Sequence, residues 1–514
     1  MNGSESLVQT LVAGGVEVCF ANPGTSEMHI VAALDRHPEL RSVLALFEGV
    51  VSGAADGYAR MAGKPACTLL HLGPGLANSL ANLHNASRAR VPILNIVGEH
   101  ATFHLSLNTP LTSDIPGIAK PYSPWVRSSR STPEVGRDVA EGLAFSRTPP
   151  GQIATLIVPA DVAWSEGGVV SEVPAAVKAP LPAAKAIENA ARKLKTIRPS
   201  ALLLAGKTLY GEGLKLAGRI AAATGAKLFA PYPFTRLERG AGAPPVERIP
   251  YPLDRAREAL KEIRFLVLAG STPPHAYFAS PSGNSACAPS ECEVQILTKP
   301  EEDGVGALDN LALALGAQAV QPIAEKSQRP AIPAGPLSPN GIATAIAALL
   351  PENVIVVDES MTAGRGILAA ARGAAPHDFL ANTGGSIGIA MPMALGAAVA
   401  CPDRRVLCLS ADGSGMYTLQ ALWTMAREGL NVTTVIFSNR AYGVLKREFL
   451  NLGVGEPGPI GSQLFSIGSP DLDWVSLAKG MGVSAGRVTS LEEFGAALKR
   501  GLQSSGPSLI ELPL

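Results

Sequence analysis

Residues 404–443 read RRVLCLSADGSGMYTLQALWTMAREGLNVTTVIFSNRAYG. Two apolar, β-branched runs predict strands, and the segment between them predicts a helix that begins near Tyr417. Asp412 ends the first predicted strand and Asn439 ends the second. Because ligands of open α/β sheets bind where the carboxyl ends of parallel strands meet, we expect these side chains to lie in one crevice. A carboxylate and an amide oxygen suit magnesium, which takes phosphate oxygens and water at its other positions.

The same alternation of short apolar runs and Ala-rich helical segments continues through the chain. It predicts an α/β protein made of three doubly wound domains with parallel sheets. Segments rich in Pro and Gly at residues 165–182 and 319–339 predict linkers. The expected domains are therefore residues 1–165, 183–320 and 338–514.

Composition narrows the classes of function. The 514 residues contain 43 basic and 43 acidic side chains, so no net field favours nucleic acid or a membrane surface. The six cysteines form no C-x-x-C pair, which disfavours a zinc site and is typical of a reducing compartment. The polar N-terminus does not resemble a signal peptide. We expect a cytoplasmic protein that acts on a small molecule.

Ala411-Asp412-Gly413 followed by Ser438-Asn439 resembles the metal-binding motif of the thiamine-diphosphate-dependent decarboxylase and acetolactate synthase superfamily. That family carries Gly-Asp-Gly and then Asn-Asn, so the first Gly and the first Asn are replaced here. The resemblance implies thiamine diphosphate and Mg²⁺ as cofactors. It implies Asp412, Asn439 and the main-chain carbonyl of Ala441 as metal ligands, with Gly413 and Ser414 beside the diphosphate.

Glu48 lies in SVLALFEGVVSGAADGYAR, at the junction of an apolar run and a helical segment. Its neighbours Phe47, Val50 and Val51 are apolar, an environment that favours a protonated carboxyl group. From position alone, a carboxylate that interacts with the helix dipole is the better interpretation. The resemblance instead implies that Glu48 shares a proton with the cofactor's aminopyrimidine and so activates it.

Further segments follow the family's order of pyrimidine-binding, central and diphosphate-binding domains. FANPGTSE (20–27) and LHLGPGLANSLANLHNA (70–86) resemble its first-domain loops. In GGSIGIAMPMALGAA (384–398), Ile387 would hold the cofactor in its bent form, and the carbonyl of Gly385 would accept from its amino group. In DESMTAG (358–364), Ser360 and Thr362 would lie near the diphosphate.

Within the superfamily, the first domain most resembles benzoylformate decarboxylase. His71 would face the reacting carbon, where a side chain with a pKa near neutrality can move protons. Thr25 would contact the substrate carboxylate, and His275 in STPPHAYF (271–278) would be a second active-site histidine. His71 read alone is more simply a hydrogen-bonded core residue. The resemblance implies decarboxylation of a 2-oxo acid, with carboligation to a second carbonyl as an additional outcome.

Other features favour an acetolactate synthase-type carboligase that makes acetohydroxy acids from pyruvate. Leu-Gly-Pro-Gly at 72–75 resembles the turn of that enzyme. The histidine at position 71 is evidence against this alternative, because acetolactate synthases normally lack a histidine there. No ordered G-x-G-x-x-G follows a predicted strand, so neither FAD nor a nucleotide-dependent dehydrogenase is expected. The family also implies a homodimer or homotetramer whose active sites lie between subunits, with Glu48 and Asp412 from different chains.

Overall fold

The computed structural model describes residues 1–279 and 283–514. Three β-sheets flanked by helices follow one another along the chain, as predicted. Residues 165–183 and 316–338 contain no helix or strand, and each of these segments separates two sheets. No helix in the described part of the chain combines the length and the apolar character needed to cross a bilayer.

The first sheet has six parallel strands in the order β2-β1-β3-β4-β6-β5. Every residue of β4 and β6 is buried, because helices cover both faces of the sheet. The strands are β1 (Val18–Asn22), β2 (Arg41–Leu44), β3 (Ala66–Leu70), β4 (Ile93–Glu99), β5 (Trp125–Ser128) and β6 (Ile153–Pro159). The helices are α1 (Gly3–Ala13), α2 (Met28–Leu34), α3 (Glu48–Ala62), α4 (Leu72–Ala89), α5 (Ile115–Ala119), α6 (Val135–Ser146) and α7 (Ala160–Trp164).

The second sheet has five parallel strands in the order β10-β8-β7-β11-β12. The strands of this part of the chain are β7 (Ser200–Leu204), β8 (Lys227–Ala230), β9 (Arg236–Arg239), β10 (Val246–Arg248), β11 (Phe265–Ala269) and β12 (Glu293–Thr298). The helices are α8 (Ala184–Thr196), α9 (Gly211–Thr224), α10 (Leu253–Leu260) and α11 (Gly304–Leu315). Strand β9 lies in this part of the chain but belongs to the third sheet.

The third sheet has seven strands in the order β17-β18-β16-β15-β13-β14-β9. They are β9 and β13 (Ile355–Glu359), β14 (His377–Ala381), β15 (Val406–Ala411), β16 (Val432–Ser438), β17 (Ser484–Arg487) and β18 (Ser508–Pro513). The helices are α12 (Pro339–Leu349), α13 (Ile367–Ala370), α14 (Ala390–Ala400), α15 (Asp412–Gly415), α16 (Ala421–Arg427), α17 (Gly443–Asn451), α18 (Pro459–Leu464), α19 (Trp474–Gly480) and α20 (Leu491–Gln503). All pairings are parallel except that of β9 with β14, an antiparallel edge that the sequence did not predict.

Two local predictions were wrong. The helix expected to begin near Tyr417 begins at Ala421, and the short helix α15 occupies the start of the connection. The Gly-Pro-Gly segment after His71 is not a turn before a helix. It forms the first turn of α4, with His71 as the residue that precedes it.

Helices α3 and α14 join the first and third sheets into one packed body. A Cβ atom on Gly57 of α3 would collide with the main-chain carbonyl of Met393, and one on Gly396 of α14 would collide with that of Ala54. Only glycine lets the two backbones come this close. Because α3 begins at Glu48 and α14 follows residues 384–389, this crossing sets the position of both segments.

Candidate active site

Glu48 is the first residue of α3 and lies just after the end of β2, with its side chain turned toward α4. It is buried, and the side-chain amide of Asn78 donates to its Oε2 at 3.0 Å. Asn78 lies one and a half turns into α4, so the contact links two helices that both start at the carboxyl edge of the first sheet. The carboxylate therefore has a fixed orientation at the edge where ligands of parallel sheets bind.

His71 ends the connection from β3 to α4 and is held by a buried acid. Its Nδ1 lies 2.8 Å from Oε2 of Glu27 and 3.3 Å from Oγ of Ser26. Glu27 is fully buried, and its other contacts come from the amide of Gly24 at 2.7 Å and the hydroxyl of Ser26 at 2.8 Å. The contacts with Gly24 and Ser26 hold the Glu27 carboxylate in place, and this carboxylate engages Nδ1 of His71. The other ring nitrogen of His71, Nε2, therefore faces away from Glu27.

Glu48 and His71 lie side by side around Gly75. A Cβ atom built on Gly75 would stand 3.2 Å from Oε1 of Glu48 and 3.4 Å from Cβ of His71. The first turn of α4 therefore brings the two predicted catalytic side chains into one cluster.

Thr25 and His275 are exposed, unlike Glu48, and the contacts described here do not fix their side chains in the cluster of Glu48 and His71. Thr25 is exposed in the short 3₁₀ helix Thr25–Glu27, in the same loop as the residues that hold His71. His275 is exposed, and its Nδ1 lies 3.1 Å from the carbonyl oxygen of Pro273. Two residues further on, the hydroxyl of Tyr277 contacts Gly385 so closely that a Cβ on that glycine would overlap it. The roles of Thr25 and His275 stay predictions.

Asp412 and the segment after β16 form a second cluster at the carboxyl edge of the third sheet. Asp412 is buried, and its Oδ2 accepts the main-chain amide of Arg440 at 2.7 Å, while its Oδ1 accepts that of Gly413 at 2.8 Å. Arg440 adopts a positive φ of 55°, which turns the chain so that its amide faces Asp412. Burial raises the pKa of the Asp412 carboxyl group, and the two amide donors oppose that rise.

Asn439 lies in the same cluster. Its Oδ1 accepts the amide of Ala441 at 3.1 Å, and its Nδ2 is 3.4 Å from Oγ1 of Thr362. Because β13, β15 and β16 are neighbours in the sheet, their carboxyl ends bring Thr362, Asp412 and Asn439 together. This is the convergence that the sequence predicted for Asp412 and Asn439.

The donor atoms of this cluster fit a hard divalent cation. One carboxylate, one amide oxygen and the carbonyl of Ala441 are all oxygen ligands, which magnesium prefers, and they leave positions for a diphosphate and water. No group of three His, Cys, Asp or Glu side chains that could hold a metal occurs in residues 1–279 or 283–514.

Ser360 and Ser414 lie beside these ligands but are less available. The Ser360 hydroxyl is buried and hydrogen-bonded to Asp358, and a Cβ on Gly364 would overlap it. Ser414 is buried in α15, next to Asp412. Their predicted contacts with the diphosphate stay predictions.

The loop from Asn382 to Ile389 connects β14 to α14 and carries Gly385 and Ile387. Asn85 of α4 holds it by two bonds, since its Nδ2 donates to the Ser386 carbonyl at 2.8 Å and its Oδ1 accepts the Ser386 amide at 3.1 Å. Ile387 is half-buried, Gly385 is exposed, and the loop is bound to α4 and β13 at defined points. We call residues 382–389 the cofactor loop, after the contacts that the resemblance implies for Gly385 and Ile387.

Glu359, the last residue of β13, lies beneath the cofactor loop. Its carboxylate accepts the amide of Gly388 at 3.2 Å, the amide of Ala390 at 3.1 Å and the side-chain amide of Asn382 at 3.0 Å. Ala390 is the first residue of α14, and the first amides of a helix lack partners within it. Burial raises the pKa of Glu359 to about 7, although all of its hydrogen bonds favour the ionised form.

The Glu48 and Asp412 clusters are not directly hydrogen-bonded to each other in the described part of the chain. In residues 1–279 and 283–514, no hydrogen bond joins Glu48, His71 or Glu27 to Asp412 or Asn439. The contacts between the two sheets instead run through α4, α3 and the cofactor loop.

Sequence reasoning missed three residues that organise the site, namely Glu27, Asn78 and Glu359. Glu27 carries a visible signal, because an acid is the third residue after the turn-forming Asn-Pro-Gly. Asn78, Asn82 and Asn85 follow one another at helical spacing on α4, a polar stripe that could have indicated contacts on that face. Nothing local distinguishes Glu359 from an ordinary acid after a strand.

Family models match both ends of the chain. The model described as "Thiamine pyrophosphate enzyme, N-terminal TPP binding domain" matches residues 1–115, which contain Glu27, Glu48 and His71. The model described as "Thiamine pyrophosphate enzyme, C-terminal TPP binding domain" matches residues 364–512, which contain Asp412 and Asn439.

Named relatives extend over the whole chain. A Mycobacterium tuberculosis protein named "Putative acetolactate synthase large subunit IlvX" is 50% identical over 515 residues, which cover 100% of this chain and 99% of the relative. Benzoylformate decarboxylase from Pseudomonas aeruginosa is 28% identical, with 97% and 96% covered. The structure of 4-hydroxybenzoylformate decarboxylase from Rhodococcus jostii RHA1 matches with a TM-score of 0.86 at 22% identity, over 100% of this chain and 99% of that one, and shows the same fold. The chain therefore belongs to the thiamine-diphosphate-dependent enzymes of the decarboxylase and acetolactate synthase family.

Proposed function

We propose that this enzyme decarboxylates a 2-oxo acid, as benzoylformate decarboxylase does, with carboligation to a second carbonyl as an additional outcome. The observation that carries the proposal is the histidine at position 71, held through Nδ1 by the buried Glu27 and placed beside Glu48. A histidine fixed in this way is suited to move protons next to the reacting atoms.

The chain's residues fit the cofactor and its metal. Asp412, Asn439 and the carbonyl of Ala441 would hold Mg²⁺, and Gly413, Ser414, Ser360 and Thr362 would lie along the diphosphate. Gly385 and Ile387 would contact the pyrimidine side. When bound, thiamine diphosphate supplies the carbanion nucleophile and the electron sink for decarboxylation.

Glu48 would hold a proton against the ring nitrogen of the aminopyrimidine. Its Oε2 is already oriented by Asn78, so its Oε1 is the atom available to the cofactor. Oε1 is also the atom that faces Gly75, where the lack of a side chain leaves room.

His71, protonated at Nε2, would first donate to the carboxylate of the substrate and would then deliver that proton to the reacting atoms. Glu27 accepts from Nδ1, which sets the tautomer and stabilises the charged ring when Nε2 is protonated. Thr25 would contribute a hydroxyl to the substrate carboxylate, and His275 would approach from the central region. A pocket with little water favours loss of CO₂, because charge is neutralised as it leaves.

A second candidate is acetolactate synthase-type carboligation, which makes an acetohydroxy acid from pyruvate. It is favoured by one observation, the 50% identity over the full chain to the M. tuberculosis relative that carries that name. The two reactions share the decarboxylation step and differ in whether a proton or a second carbonyl is then taken up. Pocket shape and proton supply at His71 decide between them.

The decisive experiment incubates the enzyme, loaded with thiamine diphosphate and Mg²⁺, with pyruvate and with benzoylformate separately and analyses the products. We expect an aldehyde and CO₂ from at least one of these acids. Acetolactate from pyruvate with no benzaldehyde from benzoylformate would contradict the first candidate and support the second. CO₂ from neither acid would leave both candidates without support.

Glu48→Gln tests the activation step in the same assay. We expect turnover to fall by a factor of about 10² to 10⁴, because an amide cannot share the proton as a carboxyl group does. Asn78→Ala should lower turnover less, since Glu48 remains. Unchanged turnover in Glu48→Gln would contradict the assigned role.

The same proposal extends to assembly. Because no hydrogen bond joins the Glu48 and Asp412 clusters in the described chain, and the resemblance implies active sites between subunits, we propose that a complete site combines Glu48 of one subunit with Asp412 of another, in a homodimer or a pair of such dimers. The predicted domains, residues 1–165, 183–320 and 338–514, would be its pyrimidine-binding, central and diphosphate-binding parts.

A further inference from the structure

Glu359 is a buried acid that the proposed reaction does not use. It is 3% exposed and lies at the carboxyl end of β13, between the strand and the start of α14. An unpaired carboxylate in such a place would be costly, so its partners define its role.

The groups that are hydrogen-bonded to the Glu359 carboxylate are N–H donors. The amide of Gly388 lies 3.2 Å from both oxygens, Ala390 donates to Oε2 at 3.1 Å, and Asn382 donates to Oε1 at 3.0 Å. A carboxylate can accept from all of them, whereas a protonated acid or a glutamine would place hydrogens against one or more of these donors. The geometry thus fits the ionised form.

Asn382 links Glu359 to the exposed part of the cofactor loop through further hydrogen bonds. Its Nδ2 also donates to the carbonyl of Ser386 at 2.8 Å, and its Oδ1 accepts the amide of Gly385 at 2.8 Å. The other side of Ser386 is bound by Asn85 of α4. The conformation around Gly385 is therefore fixed by a connected set of bonds that begins at Glu359.

We propose that Glu359 is a positioning residue whose ionised carboxylate, through Asn382 and the amides of Gly388 and Ala390, holds the cofactor loop in the shape that receives the pyrimidine part of thiamine diphosphate. The inference rests on the proposed function for what the loop binds, and not on which reaction follows.

The groups that face Glu359 do not supply a countercharge. Cys408 of β15 lies on the same side of the sheet, and burial raises the pKa of its thiol, so it is neutral near pH 7. Tyr232 of the central region is also kept neutral, because burial raises the pKa of its phenol. Asp358, the preceding residue, is an acid whose pKa is likewise raised by burial. It accepts from Ser360, and the charge of Arg248 opposes the rise in its pKa. The loop amides are thus what stabilises the Glu359 carboxylate.

A dependence on pH follows with a defined sign. Burial places the pKa of Glu359 near 7. Above that value the carboxylate accepts all its donors and the loop is held, whereas below it protonation removes an acceptor and the loop is released. We expect cofactor affinity to weaken as the pH falls from 8 to 6, partly through Glu359.

The test measures binding of thiamine diphosphate, with Mg²⁺ and without substrate, to the full chain freed of cofactor. Calorimetry gives the dissociation constant between pH 6 and 8. Fluorescence provides a second readout, since the buried Trp474 lies against Gly415, close to Asp412. Glu359→Gln should weaken binding about tenfold or more at pH 8 and should lose the wild-type change with pH that Glu359 causes.

Three variants keep the result interpretable. Asp358→Asn should leave the pH midpoint in place, which identifies Glu359 as the titrating group. Asp138→Asn replaces another buried acid, held by Ser129 and Arg127 far from the loop, and should leave cofactor affinity unchanged. If Glu359→Gln does not fold, Asn382→Ala should weaken binding by a smaller factor and raise the midpoint, because the hydrogen bond from the Asn382 amide lowers the pKa of Glu359.

Equal affinity and equal pH dependence in the wild type and in Glu359→Gln would overturn the inference, even if the variant melts at a lower temperature. A wild type that binds the cofactor through Glu359 but decarboxylates no 2-oxo acid would instead contradict the proposed reaction and leave the inference standing.

Discussion

Glu27 shows how one residue can matter to a site that it does not reach. It is completely buried and is hydrogen-bonded to Gly24, Ser26 and His71. A Cβ on Gly98 near the end of β4 would overlap its carboxylate, so the glycine leaves the space that the acid occupies. Its contribution is to engage Nδ1 of His71, which leaves Nε2 for the role proposed above.

Glu27→Gln should lower kcat/KM for the 2-oxo acid by a factor of about 10 to 100, because a charge-assisted hydrogen bond to His71 is replaced by a neutral one. Most of the loss should appear in kcat, since the proton step depends on the charged imidazole. The chain offers a matched control in the exposed pair of His37 and Glu39, in which Nδ1 of His37 lies 3.0 Å from Oε1 of Glu39. Glu39→Gln should change neither constant, and an equal loss in both variants would contradict a role for Glu27 in the reaction.

Individual residues were predictable from the sequence where their position on an element was enough. Asp412 and Asn439 follow neighbouring parallel strands, and the geometry of such sheets requires their convergence. Glu359 and Asn382 were not predictable, because their contacts depend on how the loop before α14 folds back over the sheet. No local pattern encodes such a contact.

At the scale of elements, the crossing of α3 and α14 joins the two candidate half-sites. α14 packs more extensively against α3 than against any other helix or strand of the described chain. Alternation of apolar runs predicted both segments, yet not that Gly57 and Gly396 would bring their backbones together. Strand β9 was missed for a related reason, since its pairing with β14 joins segments that are far apart in the chain.

Gly57→Ala tests this crossing. The added methyl group would meet the carbonyl of Met393, so we expect the unfolding free energy to fall by about 1 to 3 kcal/mol, as in other overpacked cores. Thermal unfolding followed by circular dichroism measures the effect. Gly480→Ala is the matched control, because a Cβ at that position in α19 meets no atom within 4 Å. Equal melting temperatures for Gly57→Ala and the wild type would show that the helices can separate without cost.

The whole molecule holds its candidate catalytic residues in two groups at the carboxyl edges of different sheets. Glu48, His71 and Glu27 lie at the first sheet, whereas Asp412, Asn439 and the cofactor loop lie at the third. The sequence predicted the three sheets and their order along the chain, because each depends on local alternation and on breaks rich in Pro and Gly. How the two groups combine depends on contacts between segments that are far apart in the chain, on which local patterns carry no information.

Mixed subunits test the proposal that complete sites form between chains. Glu48→Gln and Asp412→Asn should each be inactive alone, because one lacks the activating acid and the other a metal ligand. In a dimer of one chain of each kind, one site combines both substitutions and the other combines the unmodified Glu48 and Asp412. Random pairing would make half of the dimers hybrid with one intact site each, so we expect about a quarter of wild-type activity after co-expression. Preparations of either variant alone provide the baseline. Hybrids purified through two different tags that stay at that baseline would mean that each chain pairs its Glu48 with its own Asp412.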